Sequence, residues 1–342
     1  MKDILSLSLP EVEELIISIG EKKFRAGQLY SWMMKGAELD AMSNIPKSIK
    51  NYLRDNGLYY IPRIERKLVS ELDGTVKYLF AMQDGEMIES VVMSYKHGNT
   101  ICVSCQCGCR MGCRFCASTI RGKVRDLTAG EILGQIIAAE KDLGIRISNI
   151  VMMGIGEPLD NYDNVVKFLS LVTSPDGLNI GERHISVSTC GLVDKIYSLA
   201  ELDLGITLSI SLHAYRDDVR SSVMPVNNKW NIDKLLTACR HYFKVTGRRI
   251  SFEYTLIAGV NDSKEGAMEL AAILKKYMGK MPLHVNLIPV NNVKERDFTA
   301  TARQQAEGFM NTLNQLGINA TIRRKLGSDI DASCGQLRSG EK

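Results

Sequence analysis

Cys109-Arg110-Met111-Gly112-Cys113-Arg114-Phe115-Cys116 is the stretch on which the reading of this chain turns. Its cysteines are spaced C-x3-C-x2-C. Three thiolates this close together can hold a soft metal centre, but they cannot fill four positions. Thiolates select zinc, copper(I) or iron–sulfur clusters. A structural zinc ion asks for a fourth ligand nearby. A cluster of four irons can keep three on cysteine and leave the fourth open to a small molecule. Cys102, Cys105 and Cys107 precede the motif, and Cys105 and Cys109 repeat its first spacing. Position 112 is glycine, however, so the full register falls on Cys109, Cys113 and Cys116. Phe115 is suited to shield the centre from water and tune its potential.

Outward from this loop the chain alternates strand and helix. Strands are expected at Ile101–Val103, Asn149–Met153, His184–Ser188, Ile206–Ser211, Ile250–Leu256, Leu283–Ile288 and, briefly, Ala320–Ile322. Helices are expected at Ala129–Leu143, Asp163–Leu171, Val193–Leu202, Ile232–Thr246, Ser263–Tyr277 and Thr301–Leu316. Such alternation argues for a parallel sheet. The units are too few for a closed eight-stranded barrel, so an open or partial barrel fits. Chemistry gathers at the C-terminal ends of parallel strands, and the unusual stretches occur there. Gly154-Ile155-Gly156-Glu157-Pro158 lacks the third glycine of a dinucleotide fingerprint and has proline where a helix should continue. Its glycines let the backbone approach a ligand, and Glu157 can accept from an amine. Ser186–Gly191, Ser209–His213 and His284–Asn291 add hydroxyls, an imidazole and amides.

Residues 1–60 read as a helical head. Ser8 caps a helix with Pro10 and Glu11 in its first turn; Leu15, Ile16 and Ile19 form its apolar face and Gly20 ends it. A second helix spans Ala26–Met34, with Leu29, Trp32 and Met33 inward and Gly36 at its end. A third follows Pro46 through Ile49, Tyr52 and Leu53 to Gly57. In residues 61–95, Asp73-Gly74 and Asp84-Gly85 separate Lys67–Glu71, Lys77–Ala81 and Met87–Met93, the pattern of a three-stranded meander. Residues 96–342 form the body.

The 342 residues carry 43 Lys and Arg against 39 Asp and Glu, a net charge of +4, which does not by itself announce a nucleic-acid partner. The distribution says more. Arg110, Arg114, Arg121, Lys123 and Arg125 occur with no acid among them, and Arg323-Arg324-Lys325 forms a second cluster. Both are suited to phosphates, as are Lys22, Lys23 and Arg25 in the head. Nine cysteines, an odd number crowded around a ligand motif, argue for a reducing compartment. There is no apolar run of about 18 residues, and Met1–Leu5 lacks the apolar core of a signal peptide. A cytoplasmic protein without membrane contact is expected.

The C-x3-C-x2-C spacing is similar to the cluster motif of radical S-adenosylmethionine (SAM) enzymes. Together with GIGEPL (154–159), SVSTCG (186–191), SLHA (211–214), HVNLIPVN (284–291), RRKLGSDIDASCGQLR (323–338) and KFRAGQLYSWM (23–33), it resembles the RlmN/Cfr family of radical SAM RNA methyltransferases over nearly the whole chain. The resemblance implies an α/β fold, a partial (β/α)6 radical SAM barrel with a small N-terminal helical accessory domain and a β-meander linker. It implies a [4Fe-4S] cluster on Cys109, Cys113 and Cys116, and SAM contacts from Gly156, Glu157, Ser188, Ser211, Leu212, His213 and Asn291.

The family chemistry so implied uses two SAM molecules per turnover. One methylates Cys334; the second yields a 5′-deoxyadenosyl radical that takes hydrogen from that methyl group. The carbon radical adds to adenine, Glu89 acts as general base, and Cys102 resolves the RNA–protein adduct by forming a disulfide. The implied substrates are the adenosine at position 2503 of 23S rRNA and that at position 37 of tRNAs, each unstacked to reach the site. The implied partners also include an electron donor such as flavodoxin or ferredoxin, and a monomer is expected. The tail and HVNLIPVN are RlmN-like and favour C-2 of adenine; Gln106-Cys107-Gly108-Cys109 is closer to the Cfr branch, which methylates C-8 and confers ribosome-drug resistance. Cys105 and Cys107 are read as structural thiols. A zinc-stabilised, non-enzymatic RNA-binding protein is the alternative from another class.

Overall fold

Ser8 and Glu11 start the first helix. The Ser8 N–H donates to Glu11 Oε2 at 2.7 Å and Pro10 lies in the first turn, so α1 (Leu9–Ser18) begins where a capping box dictates. Helices α2 (Phe24–Met34) and α3 (Lys47–Asp55) follow. Leu29 and Met33 are buried as expected. Trp32 is half-buried instead, because its indole N–H reaches Asn44 Oδ1 at 2.6 Å. The computed structural model describes residues 3–338; residues 1–2 of the expected head and 339–342 of the expected body lie outside the described residues.

The meander consists of β1 (Arg63–Val69), β2 (Val76–Ala81) and β3 (Met87–Tyr95), all antiparallel. The first strand stops short of Glu71. Asp329 accepts from Ser70 Oγ at 2.7 Å and from the Glu71 N–H at 2.9 Å, which draws both out of the ladder. β3 pairs antiparallel with β4 (Gly98–Cys102), so the meander extends the main sheet. A short ribbon, β5 (Gln106–Gly108) with β6 (Lys123–Asp126), brackets the cysteine loop and was not foreseen.

The remainder runs α4 (Ala129–Leu143), β7 (Ile147–Met152), α5 (Tyr162–Thr173), β8 (Ile185–Thr189), α6 (Val193–Ala200), β9 (Thr207–Ser211), α7 (Asp217–Val223), α8 (Ile232–Thr246), β10 (Ile250–Leu256), α9 (Lys264–Met278), β11 (Leu283–Pro289), α10 (Arg303–Gln315) and β12 (Ala320–Ile322). The strand order is β1-β2-β3-β4-β7-β8-β9-β10-β11-β12, one ten-stranded sheet that ends at β1 and β12 without closing. Every pairing from β4 to β12 is parallel. This is the expected partial barrel, an α/β fold. All seven residues of β10 are buried, as befits a strand covered on both faces.

The head docks on the N-terminus of α4. Thr128 Oγ1 donates to Asp3 Oδ2 at 2.6 Å and the Gly130 N–H to Ser6 Oγ at 2.8 Å. A Cβ on Gly130 would lie 1.9 Å from Asp3 Oδ1, so this contact needs glycine. Apolar side chains of head, meander and barrel join in one continuous core. Among the described residues no helix is long and apolar enough to cross a membrane.

Candidate active site

The cysteine loop is fixed by backbone bonds. The Cys109 N–H donates to the Gly122 carbonyl at 3.1 Å, Arg114 to Val223 at 2.9 Å and Ala117 to Gly335 at 2.8 Å. Cys109, Cys113 and Cys116 line one cleft that opens to solvent. Burial pushes the Cys109 thiol up to about 12 and raises Cys113 and Cys116 as well. Each stays protonated until a soft cation takes the thiolate. Among the described residues, no three His, Cys, Asp or Glu side chains converge tightly enough to hold a single ion. Three thiols sharing one cleft fit a cluster whose irons take one each. Phe115 packs edge-on against His213, ring centres 5.1 Å apart.

The opposite wall comes from strand ends. After β7 the chain passes through Gly156 at φ +108°, where a Cβ would meet Gln106 Cβ at 2.7 Å and Cys105 Sγ at 2.9 Å. Glycine is therefore required on both counts. Buried Glu157 accepts from the Cys190 N–H at 2.7 Å and the Leu159 N–H at 3.0 Å, while burial raises its pKa. Ser188, Ser211, His213 and Asn291 line the same cleft. His213 Nδ1 accepts from the Thr255 N–H at 2.9 Å, and burial pushes its pKa down to about 3. Its ring is neutral, with the proton on Nε2. Leu212 is not on this wall. Its side chain is in the core, its N–H donates to the Glu253 carbonyl at 3.0 Å, and its carbonyl accepts from Arg220 Nε at 3.0 Å.

A second chamber adjoins the first; its walls include Tyr95, Thr100, Cys102, Arg324 and Lys325. Met153, Asn291, Arg323 and Cys334 line both chambers. Cys102 and Cys334 are free thiols, and burial, reinforced by Cys334, pushes Cys102 up to about 12. The tail around Cys334 is anchored. Asn291 Nδ2 donates to the Cys334 carbonyl at 3.0 Å, Gln336 Nε2 to Asn292 at 2.9 Å and Ser118 Oγ to Leu337 at 2.8 Å. Glu89 lines neither chamber. Its Oε1 lies 3.1 Å from Lys77 Nζ and its Oε2 accepts from the Arg338 N–H at 2.9 Å, so the tail lies across it. Cys105 and Cys107 are buried away from both chambers.

Two arginines matter more than their sequence context suggested. Arg220, on α7, is fully buried. It donates to the carbonyls of Cys190 at 2.7 Å, Leu212 at 3.0 Å, Ser211 at 3.1 Å and Trp230 at 3.3 Å, and to Asn227 Oδ1 at 3.1 Å. It thereby ties together the ends of β8 and β9. Arg323, expected to meet phosphates, points inward. Its Nη1 donates to Cys334 Sγ at 3.0 Å and its Nη2 to Met153 Sδ at 3.3 Å, with Glu253 Oε2 at 3.8 Å. Its place directly after β12 was the available signal, since strand ends point to the mouth.

Much of the basic run is paired with acids of the chain itself. Arg110 pairs with Asp160 at 2.5 Å, Lys123 with Asp126 at 2.8 Å and Asp160 at 3.0 Å, and Arg125 with Asp84 at 2.5 Å and Glu131 at 2.7 Å. Arg121 approaches Glu86 at 3.9 Å. Asp84, Glu86 and Asp160 come from elsewhere in the chain, which a local charge count does not see; Asp126 and Glu131 follow the run directly. Arg114, Arg324 and Lys325 remain exposed.

Comparison with known proteins agrees with this geometry. The Radical SAM superfamily model matches residues 103–271, and the Ribosomal RNA large subunit methyltransferase N-terminal domain model matches residues 2–57. A Clostridium novyi protein named "Probable dual-specificity RNA methyltransferase RlmN" is 54% identical over 340 residues, covering 99% of this chain and 98% of that protein. One of the same name from Lachnospira eligens is 50% identical over 341 residues, covering 99% and 96%. The crystal structure of a radical SAM methyltransferase from Sphaerobacter thermophilus superposes with a TM-score of 0.94 at 40% identity, over 99% of each chain. With sequence, fold and cysteine cleft in agreement end to end, the chain belongs to the RlmN family of radical SAM RNA methyltransferases.

Proposed function

We propose that this enzyme methylates C-2 of adenine, at position 2503 of 23S rRNA and position 37 of tRNAs, through an S-methyl group carried on Cys334. One observation carries the reading: Cys334 lines both chambers. A carrier must meet SAM on one side and the base on the other. Cys109, Cys113 and Cys116 would hold the [4Fe-4S] cluster, and Glu157, Ser188, Ser211 and Asn291 of the same cleft would hold SAM. When bound, the cluster supplies the electron that cleaves SAM to a 5′-deoxyadenosyl radical. Gly156 lets SAM approach the backbone, and neutral His213 offers Nε2–H as a donor. Cys102, on the wall of the second chamber, is the resolving thiol. Glu89 is the base for the C-2 proton, and acts once the tail withdraws from it.

The head (residues 1–60) is assigned to RNA contact, the meander (61–95) to linkage and the remainder (96–342) to catalysis. The setting is cytoplasmic, with a monomeric enzyme reduced by flavodoxin or ferredoxin. The test is an anaerobic reaction of cluster-loaded protein with SAM, reductant and an rRNA fragment, digested to nucleosides and read by mass spectrometry. 2-Methyladenosine is expected. 8-Methyladenosine would move the enzyme to the Cfr branch, and a colourless protein without SAM cleavage would favour the zinc alternative.

A further inference from the structure

We infer that Arg323, braced by Glu253, is a positioning residue that orients the Cys334 sulfur and stabilises its anionic form for methyl transfer. This rests on the reading of Cys334 as carbon carrier. The guanidinium reaches the sulfur at 3.0 Å, whereas the carboxylate of Glu253 is at 3.8 Å, so the thiol is its nearer partner. Glu253 is itself held in place, accepting from Ser251 Oγ at 3.1 Å and Asn286 Nδ2 at 2.8 Å. It stands on β10, while Arg323 extends from the end of β12. The Arg323 N–H also donates to the Leu287 carbonyl at 2.8 Å. Main chain and carboxylate thus aim a fixed cation at the junction of the two chambers.

The chemistry gives that cation a task. The thiolate, not the thiol, is the nucleophile. Cys334 releases its proton to solvent, and the sulfur anion attacks the methyl carbon of SAM. The new S–CH3 bond forms as the sulfonium C–S bond breaks, and S-adenosylhomocysteine leaves with the electron pair. A charge-assisted bond from Arg323 favours the anion before the step. Afterwards the sulfur is a thioether, a weak acceptor. Methylation therefore removes the anionic partner of Arg323 and leaves Glu253 as its counter-charge. A lysine would keep the charge but not the fork that spans Cys334 and Met153.

The test reads the thiol directly. The protein is expressed without its cluster, the mass of the Cys334 peptide is checked to be that of the free thiol, and the protein is then reconstituted anaerobically. It is treated with iodoacetamide at neutral pH without SAM or RNA, and modification of the Cys334 peptide is followed by mass spectrometry. R323M is expected to slow this alkylation by about three- to tenfold, the effect of losing one charge-assisted bond to the reacting sulfur. R323K recovers most of it, and cluster absorbance is the same in all three proteins. Wild-type alkylation in R323M overturns the inference; so does equal slowing in R323K, which would mean shape rather than charge. Should R323M not retain its cluster, R323Q enters the same comparison. C334A tests the underlying reading separately: a C334A protein that still methylates RNA sinks the carrier role and leaves the alkylation result standing.

Discussion

Arg220→Met should loosen the barrel mouth measurably. Three strand-end carbonyls, those of Cys190, Ser211 and Leu212, lose their donor. A buried acceptor left unpaired costs about 1–3 kcal/mol. Against this, the wild type holds a cation away from water at a cost of several kcal/mol per ion, a burden visible in the downward push of burial on the Arg220 pKa. The balance is a net loss of about 3 kcal/mol, within the range for removing one member of a buried charged network. Arg220→Lys should recover little, because an ammonium has three donors on a flexible stem and cannot reach acceptors fanned around a planar fork. Urea unfolding of the three proteins gives the stability term. SAM titration of the cluster-loaded forms gives the functional one, expected to weaken about tenfold, as a loss of ~1.4 kcal/mol at the site would produce. If Arg220→Met unfolds within about 0.5 kcal/mol of wild type, inside the usual range for surface changes, and binds SAM equally well, the network does not hold the site.

Other outcomes can be checked alongside. The folded pKa of His213 is depressed from 6.5 to about 3. The unfolded chain therefore binds a proton below about pH 6.5 that the folded chain refuses, and stability falls as pH drops through that window by ~1.4 kcal/mol per unit. His213→Gln should flatten this slope between about pH 6 and 5; parallel urea curves for the two proteins would refute it. Replacing both Arg324 and Lys325 with alanine should weaken RNA binding and reduce the log–log salt slope by about 1.4–1.8, two phosphate contacts' worth; an unchanged slope would clear these residues of phosphate contact. Gly156→Ala should abolish SAM binding at a stability cost of about 1–3 kcal/mol for the forced backbone, and retention of SAM in an equilibrium titration would contradict the close approach described above.

Much of the architecture was readable because it rests on local chemistry. The Ser8–Glu11 box and the Asp-Gly turns each involve near neighbours. α4, α8 and β10 have the bounds their patterns implied. The losses came where partners are distant. α7 went unseen because just Arg220 and Val223 of its seven residues are buried, and an arginine among aspartates and serines reads as surface. Arg323 looked like one of a phosphate-binding trio until β12 was seen to end beside it. Lys123 and Arg125 looked free because Asp160 and Asp84 are far away in sequence. The cluster cysteines and Cys334 stood out from the sequence; the closure of the tail over Glu89 did not, since it depends on one backbone N–H finding one carboxylate.

The tail also bears on how this chain can be engineered. The Ala117 N–H depends on the Gly335 carbonyl, and the Ser118 hydroxyl on the Leu337 carbonyl, both just past the last cluster cysteine. A truncation before Gly335 would therefore do more than delete a thiol. It would strip two anchors from the loop proposed to hold the cluster, so a shortened chain that failed to take up iron could be mistaken for one with a damaged ligand set. Affinity tags are better placed on the head, and a claim about Cys334 is better tested by changing its side chain than by removing the segment that carries it.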